Sequence, residues 1–393
     1  MPTVDLTAGP AGELNFADPV FQTNPWPLYD WHREHQPVSY VPALESYFVV
    51  GYDLVRRVVT SPDFTVHHPF RTSRRAFGPS MLDQEGSAHT RARAATAGVL
   101  RPRKVAAFAR DIIAPLAAAT LDDLLADARP DLADRLATAL PMRVVCRFMG
   151  LPDGDAEWLH EAMRPLVEYV DHAPVPLAAV VQRRRELAAY FRSRIAAGTD
   201  DGGILAVLAA DEVLTEADVV NNAILLLAAG TETTAAAISN LFARLAADPA
   251  LYAAVAADPA LVPAVVAETL RHEPPLHVTL RFAAADVELA GVPIPRATPV
   301  QVCLAAANRD PGIYPDPHRF DHTRRDRPSL AFGAGRHVCL GMGLAQAELE
   351  VVLEALIERV AEVHPIGPVP PVRGRGFRAA TGLRLDCRPR SRR

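Results

Sequence analysis

Residues 332–341 read Phe332-Gly333-Ala334-Gly335-Arg336-His337-Val338-Cys339-Leu340-Gly341. Three glycines lie within eight residues of one another, so the backbone can turn sharply and approach a flat partner closely. Cys339 stands just before a helix that the pattern predicts to begin near Gly341. The unpaired N–H groups and positive dipole end of a helix N-terminus stabilise a thiolate. Arg336 and His337 add positive charge beside it.

Three interpretations of this cysteine follow from the residues. A single cysteine is most often a small buried hydrophobic residue. A dinucleotide-binding glycine motif is excluded, because Val338 stands where the third glycine belongs and no strand–helix–strand unit surrounds it. The remaining interpretation is one axial thiolate bond to haem iron, since no second Cys or His stands at zinc-binding spacing.

The pattern F-G-x-G-x-H-x-C-x-G over 332–341 resembles the haem-ligand signature of the cytochrome P450 family of haem-thiolate monooxygenases. The resemblance implies a mainly α, triangular prism fold with small β-sheets around haem b (iron protoporphyrin IX). It implies that Cys339 is the axial ligand of the iron. It also places Phe332, His337 and Gly341 in the haem-binding loop.

A second pattern is Glu268-Thr269-Leu270-Arg271, which places an acid and a guanidinium on one helix face. By itself such a pair is ordinary and contributes little. The family has this pair before the cysteine loop, where it forms a buried network with an arginine of a P-x-R-F segment. The segment 317–320 fits that description. The resemblance therefore implies that Glu268, Arg271 and Arg319 hold the fold around the haem.

A third pattern lies in the middle of a long predicted helix, where Ala229-Gly230-Thr231-Glu232-Thr233-Thr234 interrupts an apolar run. A buried glutamate needs a partner, water or a role. The stretch resembles the oxygen-activation turn of the family. The resemblance implies that Gly230 leaves space for O2, Thr233 hydrogen-bonds the oxygen or a water beside it, and Glu232 relays protons.

Four cations are implied as ligands of the haem propionates. His89 and Arg93 are spaced i, i+4, and by themselves they would be read as a surface helix face. The family carries H-x-x-x-R here, and Arg281 and His337 match two further propionate positions. Charge-assisted bonds of this kind keep the two carboxylates from being buried unpaired.

The pattern along the chain predicts one domain, 1–393, with an irregular segment at 1–30 and a long loop at 64–88. Short strands are predicted within 38–50 and at 278–283, 286–290 and 299–302. A capping box at Thr215 and Asp218 marks the start of the longest helix. Helices are predicted at 89–100, 103–127, 131–149, 153–171, 175–197, 202–210, 216–247, 249–256, 260–273 and 341–361.

Composition bounds the class of protein. The 393 residues carry 41 basic and 46 acidic side chains, a net charge of −5, which disfavours nucleic-acid binding. Lys104 is the only lysine, so a G-x-x-x-x-G-K phosphate loop is excluded. Four cysteines do not make a disulfide framework. The most apolar stretch, 223–230, is shorter than a membrane span, so we expect a cytoplasmic protein.

The resemblance implies a monooxygenase that reductively activates O2 and hydroxylates or otherwise oxidises a small organic molecule. We expect electrons from a separate ferredoxin and ferredoxin reductase, a medium-sized or bulky, largely apolar substrate, and a role in bacterial secondary metabolism. A peroxide-driven oxidase and a non-catalytic haem-binding electron carrier or gas sensor are the alternatives. By family position the substrate lining would come from 64–88, 160–182, Leu226, Ala229, 275–280 and 377–382.

Overall fold

The computed structural model describes residues 14–127, 131–198, 202–325 and 328–390, and helices make up most of them. The helices are α1 (Pro19–Thr23), α2 (Trp26–His35), α3 (Tyr52–Thr60), α4 (Thr72–Phe77), α5 (Gly86–Ala97), α6 (Pro102–Phe108), α7 (Ala114–Ala126), α8 (Leu132–Met149), α9 (Ala156–Val170), α10 (Leu177–Ala196), α11 (Ile204–Ala209), α12 (Glu216–Ala247), α13 (Pro249–Ala257), α14 (Val262–His272), α15 (Leu304–Asn308) and α16 (Met342–Arg359).

The strands are short and form four small sheets within the described residues. They are β1 (Val38–Val41), β2 (Ser46–Val49), β3 (Phe64–Thr65), β4 (Val278–Ala283), β5 (Val287–Leu289), β6 (Val292–Ile294), β7 (Pro299–Cys303), β8 (Val360–Pro365), β9 (Arg373–Gly374), β10 (Arg378–Ala379) and β11 (Leu385–Pro389). The predicted mainly α class with small sheets is confirmed.

Each predicted helix has a counterpart, and only the one at 103–127 is divided. There a π-helical turn, Ala109–Ile113, separates α6 from α7. Pro115 explains the division, because proline has no N–H to donate and its ring crowds the carbonyl four residues earlier. The extra residue of a π turn accommodates that crowding.

The segment 1–30 was expected to be irregular, and its described part is not. Asp18 caps α1 by accepting a hydrogen bond from the Val20 N–H at 2.9 Å, with Pro19 as the first helical residue. The fully buried Tyr29 of α2 stacks on Phe48 at 5.9 Å between ring centroids. Aromatic packing overrides the proline-rich composition. Residues 1–13 lie outside the described residues.

Three further helices have no counterpart in the prediction. α4 lies inside the loop expected at 64–88, and α3 and α15 lie in segments given no helix. In α3, Val55, Val58 and Val59 are buried on one face. These β-branched residues are weak helix formers, so tertiary packing selects the helix.

The chain divides into two compact units. The first comprises Met1–His68, Ala267–Cys339 and Pro371–Ala379. Its main sheet has the order β1-β2-β7-β4-β3, in which only the β2/β7 pair is parallel. β5 pairs with β6 and β9 with β10 in separate hairpins.

The second unit comprises Pro69–Val266, Leu340–Pro370 and Ala380–Arg393. α12 packs most extensively against α8, and α16 packs against α7 and α12. β8 and β11 form an antiparallel pair in the same unit. The helices of this unit therefore surround α12.

α12 has the bounds that its sequence predicts. The Thr215 hydroxyl accepts from the Asp218 N–H at 3.2 Å, and the Thr215 N–H donates to the Asp218 carboxylate at 3.1 Å, so the capping box is confirmed. Among the described residues, α12 is the one single helix long and apolar enough to cross a membrane, and 67% of its apolar window is buried inside the protein. A core helix has this property.

Candidate active site

The loop that carries Cys339 belongs to the first unit and is closed by its own backbone. Gly333 and Gly335 adopt left-handed conformations, with φ of +68° and +72°. The Cys339 N–H donates to the Phe332 carbonyl at 2.9 Å, and the Val338 N–H donates to the Gly335 carbonyl at 3.1 Å. The loop thus turns twice and returns on itself, with Cys339 exposed.

Gly335 is required by space as well as by conformation. A Cβ at this position would stand 2.9 Å from the Val59 carbonyl oxygen and 3.2 Å from Thr60 Cα, both at the end of α3. Because these are backbone atoms, the clash could not be relieved by a rotamer change. Gly335 therefore lets the loop approach the end of α3 closely, and the approach to a flat partner stays a prediction.

The helix predicted to begin near Gly341 is confirmed, since α16 starts at Met342, three residues after Cys339. Gly341 is its N-cap and offers no side-chain hydrogen bond, and no acidic residue stands in the first turn. The first N–H groups of a helix lack intrahelical partners. This end of α16 therefore suits an anionic neighbour.

The four cysteines differ sharply in environment. Burial raises the pKa of Cys146 and of Cys303 to about 12, and that of Cys387 to about 11. These three thiols therefore stay protonated at neutral pH. Cys339 is the exposed cysteine, and it alone combines exposure with a glycine loop and a helix N-terminus. The interpretation of Cys339 as a small buried hydrophobic residue is wrong.

The predicted pair Glu268 and Arg271 forms a buried, two-point ion pair in the first unit. Arg271 Nε and Nη2 donate to the two carboxylate oxygens of Glu268 at 2.7 Å each, and each side chain is 4% exposed. Arg271 Nη1 also donates to the carbonyls of Asn308 and Pro317 at 2.8 and 3.0 Å. The pair is therefore a structural centre and not a solvated surface pair.

Arg319 does not complete this network with its side chain, which is exposed. It contributes its backbone carbonyl, which accepts from Arg271 and from Arg324 at 3.2 Å each. The third guanidinium is that of Arg324, whose Nε donates to Glu268 at 3.3 Å. Arg324 also donates to the carbonyls of Pro315 and Asp316, at 2.6 and 2.8 Å.

The assignment of Arg319 from the P-x-R-F pattern is therefore corrected to Arg324. Three arginines, Arg319, Arg324 and Arg325, follow one another within seven residues. Spacing cannot choose among them. The choice depends on how the irregular segment after Phe320 folds back. The sequence of that segment has no periodicity from which its path could be predicted.

The turn around Thr233 belongs to the second unit. α12 is buried along most of its length, and Leu226, Ala229, Gly230 and Thr233 form a less buried stripe at positions i, i+3, i+4 and i+7. This spacing lies on one helix face. The Thr233 hydroxyl donates to the Ala229 carbonyl at 2.9 Å. The Thr233 oxygen keeps its lone pairs, so it can still accept a hydrogen bond.

Glu232 is next to this stripe and is half-buried. Burial raises the pKa of Glu232 above its usual value; the neighbouring His160 opposes the rise and Glu168 adds to it. A carboxyl group with a raised pKa gives and takes a proton more readily near neutral pH. Its electrostatic environment is therefore compatible with proton transfer.

Gly230 has a packing role that its sequence does not reveal. A Cβ at Gly230 would stand 2.7 Å from Val145 Cγ2 of α8. The missing side chain lets α12 and α8 approach closely. The direction of the absent Cβ is toward α8, so the space for O2 that the resemblance implies remains an expectation.

The four candidate propionate ligands divide between the units. In the second unit, His89 is buried and Arg93 is half-buried one turn later on α5. In the first unit, Arg281 is buried on β4, and His337 is half-buried at the end of the 3-10 turn Gly335–His337. They lie on a helix, a strand and a 3-10 turn, and the charge-assisted bonds that such cations make to carboxylates are strong.

Two side chains of the segments expected to line the substrate site are buried. His277 is fully buried, and its Nε2 lies 3.2 Å from Glu273 while its Nδ1 lies 3.3 Å from the Tyr29 hydroxyl. Arg378 is also buried and donates to the Gly374 carbonyl at 2.7 Å. Both side chains make hydrogen bonds in the interior of the first unit, and their place in the substrate lining stays a prediction.

The residues fit a flat, thiolate-ligated group. A single exposed sulfur is carried on a glycine loop in one unit. One soft sulfur donor is the protein ligand that haem iron takes in thiolate enzymes.

The comparisons with known proteins agree with this fit. A sequence model of the family described as "Cytochrome P450" matches residues 177–365. Cytochrome P450 monooxygenase PikC of Streptomyces venezuelae is 33% identical over 372 residues, which are 90% of this chain and 88% of PikC. The chain belongs to the cytochrome P450 family. Its cofactor is thiolate-ligated protohaem IX, and the protein is a monooxygenase of that family.

Bacterial P450s of biosynthesis stand among the relatives. The "Biotin biosynthesis cytochrome P450" of Bacillus subtilis (strain 168) is 29% identical over 364 residues, which are 88% of this chain and 92% of that protein. A crystal structure of P450BioI in complex with an acyl carrier protein ligated to hexadec-9Z-enoic acid superposes with a TM-score of 0.87 at 29% identity, covering 93% of this chain and 98% of that one. The predicted P450 fold is therefore confirmed.

Proposed function

We propose that Cys339 is the axial thiolate of the haem iron in this monooxygenase. The observation that carries the proposal is the exposure of this one thiol on the closed loop 332–341, three residues before an uncapped helix. Phe332 supplies the carbonyl that accepts from the Cys339 N–H, and Gly341 occupies the N-cap position of α16 without a side chain to bond its first N–H groups. The bound haem supplies the reductive activation of O2; the protein positions the substrate and meters the protons.

A spectrum tests this assignment. The reduced protein with CO should show the strongly red-shifted Soret band of a thiolate-ligated haem. Cys339→Ser should lose this band and the oxygenase activity, because a hydroxyl is a much weaker donor to iron. Cys387→Ser is the matched control and should keep both. Retention of the red-shifted band in Cys339→Ser would assign the ligand to another residue.

Glu232 and Thr233 are the proposed oxygen-activation pair. Once its hydroxyl leaves the Ala229 carbonyl, Thr233 would accept a hydrogen bond from a water or donate one to dioxygen. Glu232, with its raised pKa, collects protons from solvent and passes them on. His89, Arg93, Arg281 and His337 pair with the two propionates.

The acid–alcohol pair favours O2 chemistry over the peroxide-driven alternative. A peroxide-driven enzyme receives its oxygen already reduced and needs no relay of protons to a bound O2. We therefore expect product formation with a ferredoxin system and O2 to exceed product formation with hydrogen peroxide alone. The reverse ranking would favour the peroxygenase. The electron carrier and gas sensor would give no product in either assay.

A basic segment is the proposed docking site of the ferredoxin. Arg101, Arg103 and Lys104 are all exposed at the start of α6, and Arg336 is exposed beside Cys339 in the sequence. Local positive charge on a net acidic protein steers an acidic partner. Reversing the charge of Arg103 and Lys104 should slow reduction and weaken its dependence on salt. Arg185→Glu, on α10, is the control and should change neither.

The proposed substrate is a medium-sized or bulky, largely apolar organic molecule of bacterial biosynthesis, oxidised in the cytoplasm. The support is the stripe of Leu226, Ala229 and Gly230 on α12, which offers apolar contact and little bulk. Titration of candidate compounds against the haem spin state tests the class. Apolar compounds should shift the spin state at lower concentration than charged compounds of equal size.

A further inference from the structure

The chain immediately before the cysteine loop is fixed by two buried side chains of the first unit. The Tyr314 hydroxyl donates to the Pro328 carbonyl at 3.0 Å. The side-chain carbonyl of Asn308 accepts from the Leu330 N–H at 2.7 Å. Tyr314 and Asn308 are both fully buried. Residues 328–330 are thus held at two points, two residues apart.

The guanidinium of Arg271 contacts both residues, Asn308 through its backbone and Tyr314 through its ring. Arg271 Nη1 donates to the backbone carbonyl of Asn308 at 2.8 Å. The Arg271 Cζ lies 5.0 Å from the centroid of the Tyr314 ring, within the range of a cation–π contact. The buried pair of Glu268 and Arg271 therefore reaches residues 328–330 through Asn308 and Tyr314.

Further hydrogen bonds connect residues 328–330 to the cysteine loop. The carbonyl of Leu330 accepts from the Gly333 N–H at 2.9 Å and so closes the first turn of the loop. The carbonyl of Phe332 accepts from the Cys339 N–H at 2.9 Å. The Leu330 side chain is 3% exposed and packs in the core below. A shift of Leu330 would therefore move the main chain that carries Cys339.

Only one half of the Asn308 amide takes part in this clamp. Its oxygen also lies 3.4 Å from the Ser329 hydroxyl. Its Nδ2 has no hydrogen-bond partner among the residues that the structure describes. The acceptor oxygen is thus the functional atom, and a residue that keeps an oxygen there should keep the clamp.

We propose that Asn308, assisted by Tyr314, is the positioning residue that holds the Cys339 loop in its ligand-presenting conformation. The inference rests on the proposed role of Cys339. A buried N–H that loses its acceptor carries a desolvation penalty, so Leu330 would seek another partner and drag the loop with it. Without the clamp, the loop conformation that presents the Cys339 thiolate to the haem competes with conformations in which the sulfur is displaced or protonated.

The test compares holoprotein variants by the CO spectrum of the reduced protein. The measured quantity is the ratio of protein with the thiolate-type band to protein with the shorter-wavelength band, at equal haem content. Asn308→Ala should lower this ratio about tenfold, the scale of one buried hydrogen bond. Tyr314→Phe should lower it severalfold. Asn308→Asp should restore most of the ratio, although it adds a buried charge.

The matched control is Tyr252→Phe. The buried Tyr252 hydroxyl also donates to a backbone carbonyl, that of Val360, at 2.9 Å, but it does so in the second unit. Tyr252→Phe should leave the ratio unchanged, although it should lower the free energy of unfolding by about as much as Tyr314→Phe does. The haem reduction potential, measured in parallel, should change in Asn308→Ala and should not change in Tyr252→Phe.

The outcomes separate the two proposals. An unchanged ratio in Asn308→Ala, with the thiolate band present in the parent, overturns the clamp and leaves Cys339 as ligand. If the ratio falls equally in Tyr252→Phe and Tyr314→Phe, the effect reports only a general loss of stability. This result also overturns the clamp. Absence of the thiolate band from the haem-loaded parent overturns the proposed ligand instead. Recovery in Asn308→Asp supports the acceptor oxygen as the working atom.

Discussion

The segment around Cys339 and the turn around Thr233 are held by the protein in different ways. Before the cysteine, a buried ion pair, two buried side chains and three closing backbone bonds fix successive residues. Around Thr233, the polar side chains lie in a continuous helix, and the Thr233 hydroxyl bonds only its own helix, at the Ala229 carbonyl. Neighbouring helices hold α12 by apolar packing.

The difference matches the role that we propose for each part. A metal ligand needs one position, and a network of charged hydrogen bonds in a dry interior specifies one position. A proton-delivering turn must exchange hydrogen-bond partners during turnover, so weak local bonds suit it. Substitutions in the first region should therefore change stability and cofactor binding. Substitutions in the second should change the outcome of the reaction.

The largest effect is expected where the network around Glu268 is broken. Arg324→Ala removes an ion pair to Glu268 and leaves the carbonyls of Pro315 and Asp316 without their donor. We expect a loss of about 3 kcal/mol in the free energy of unfolding, at the lower end for a broken buried pair. Denaturant unfolding of the holoprotein measures it.

Arg319→Ala is the matched control for that variant. The Arg319 side chain is exposed, and the substitution preserves its backbone carbonyl, so the loss should stay within about 0.5 kcal/mol. The reverse ranking of the two variants would restore Arg319 to the network and show that the position of Arg324 is wrong.

The next effect is a dependence of stability on acid, carried by His277 in the first unit. Burial lowers the pKa of His277 to about 4, with the Glu273 carboxylate opposing the shift and Arg378 adding to it. The unfolded chain binds a proton near pH 6.5 and the folded chain does not. Stability is therefore lost as pH falls from about 6.5 toward 4, by about 2 kcal/mol between pH 6.5 and 5.

Unfolding at several pH values checks this slope. His277→Gln should reduce the dependence of the unfolding free energy on pH by the contribution of His277. The control His364→Gln should not, because His364 is exposed. Half-buried His272, with a pKa lowered to about 3 by desolvation and by the Arg309 charge, contributes in the same direction and remains in both variants. An unaltered slope in His277→Gln would show that the buried imidazole is not the source.

Much of the fold and part of the site follow from the sequence. Period and caps predict α12 to the residue, because Thr215 and Asp218 act on their own neighbours. The cysteine loop is found because its glycines and cysteine are contiguous. Arg324, Asn308 and Tyr314 are not found, because each acts on a partner far away in the sequence, across irregular chain. Local patterns report local contacts, and the network around Arg271 is mostly non-local.

The helix of the proposed oxygen-activation turn offers a smaller test, at the contact of Gly230 with α8. Gly230→Ala gains about 1 kcal/mol of helix propensity and loses about 1–3 kcal/mol to overpacking against Val145. The net result should be a modest destabilisation. In a Val145→Ala background the overpacking disappears, so the same substitution should become stabilising. A double-mutant cycle by denaturant unfolding measures the change of sign.

Failure of that sign change would mean that α8 and α12 do not meet closely at Gly230. A change of the ratio of product to peroxide in Gly230→Ala, relieved by Val145→Ala, would further show that the spacing of these two helices matters to the reaction. Ala229→Gly, on the exposed stripe one residue earlier, is the control, and it should only weaken the helix.

The smallest effect on stability and the clearest effect on chemistry are expected at Thr233. Thr233→Ala removes a hydroxyl whose bond stays within its own helix, and alanine is the better helix former, so unfolding should change by less than about 0.5 kcal/mol. Reducing equivalents should still be consumed, but hydrogen peroxide should replace much of the product, because the hydroxyl no longer places the proton. Glu232→Gln should instead slow oxygen consumption, since the relay loses its ionisable group. Product and peroxide are measured per electron delivered. If Thr233→Ala forms as much product per electron as the parent, a water or the substrate's own polar group supplies the hydrogen bond instead. A large loss of stability would mean that this turn is held as firmly as the cysteine loop.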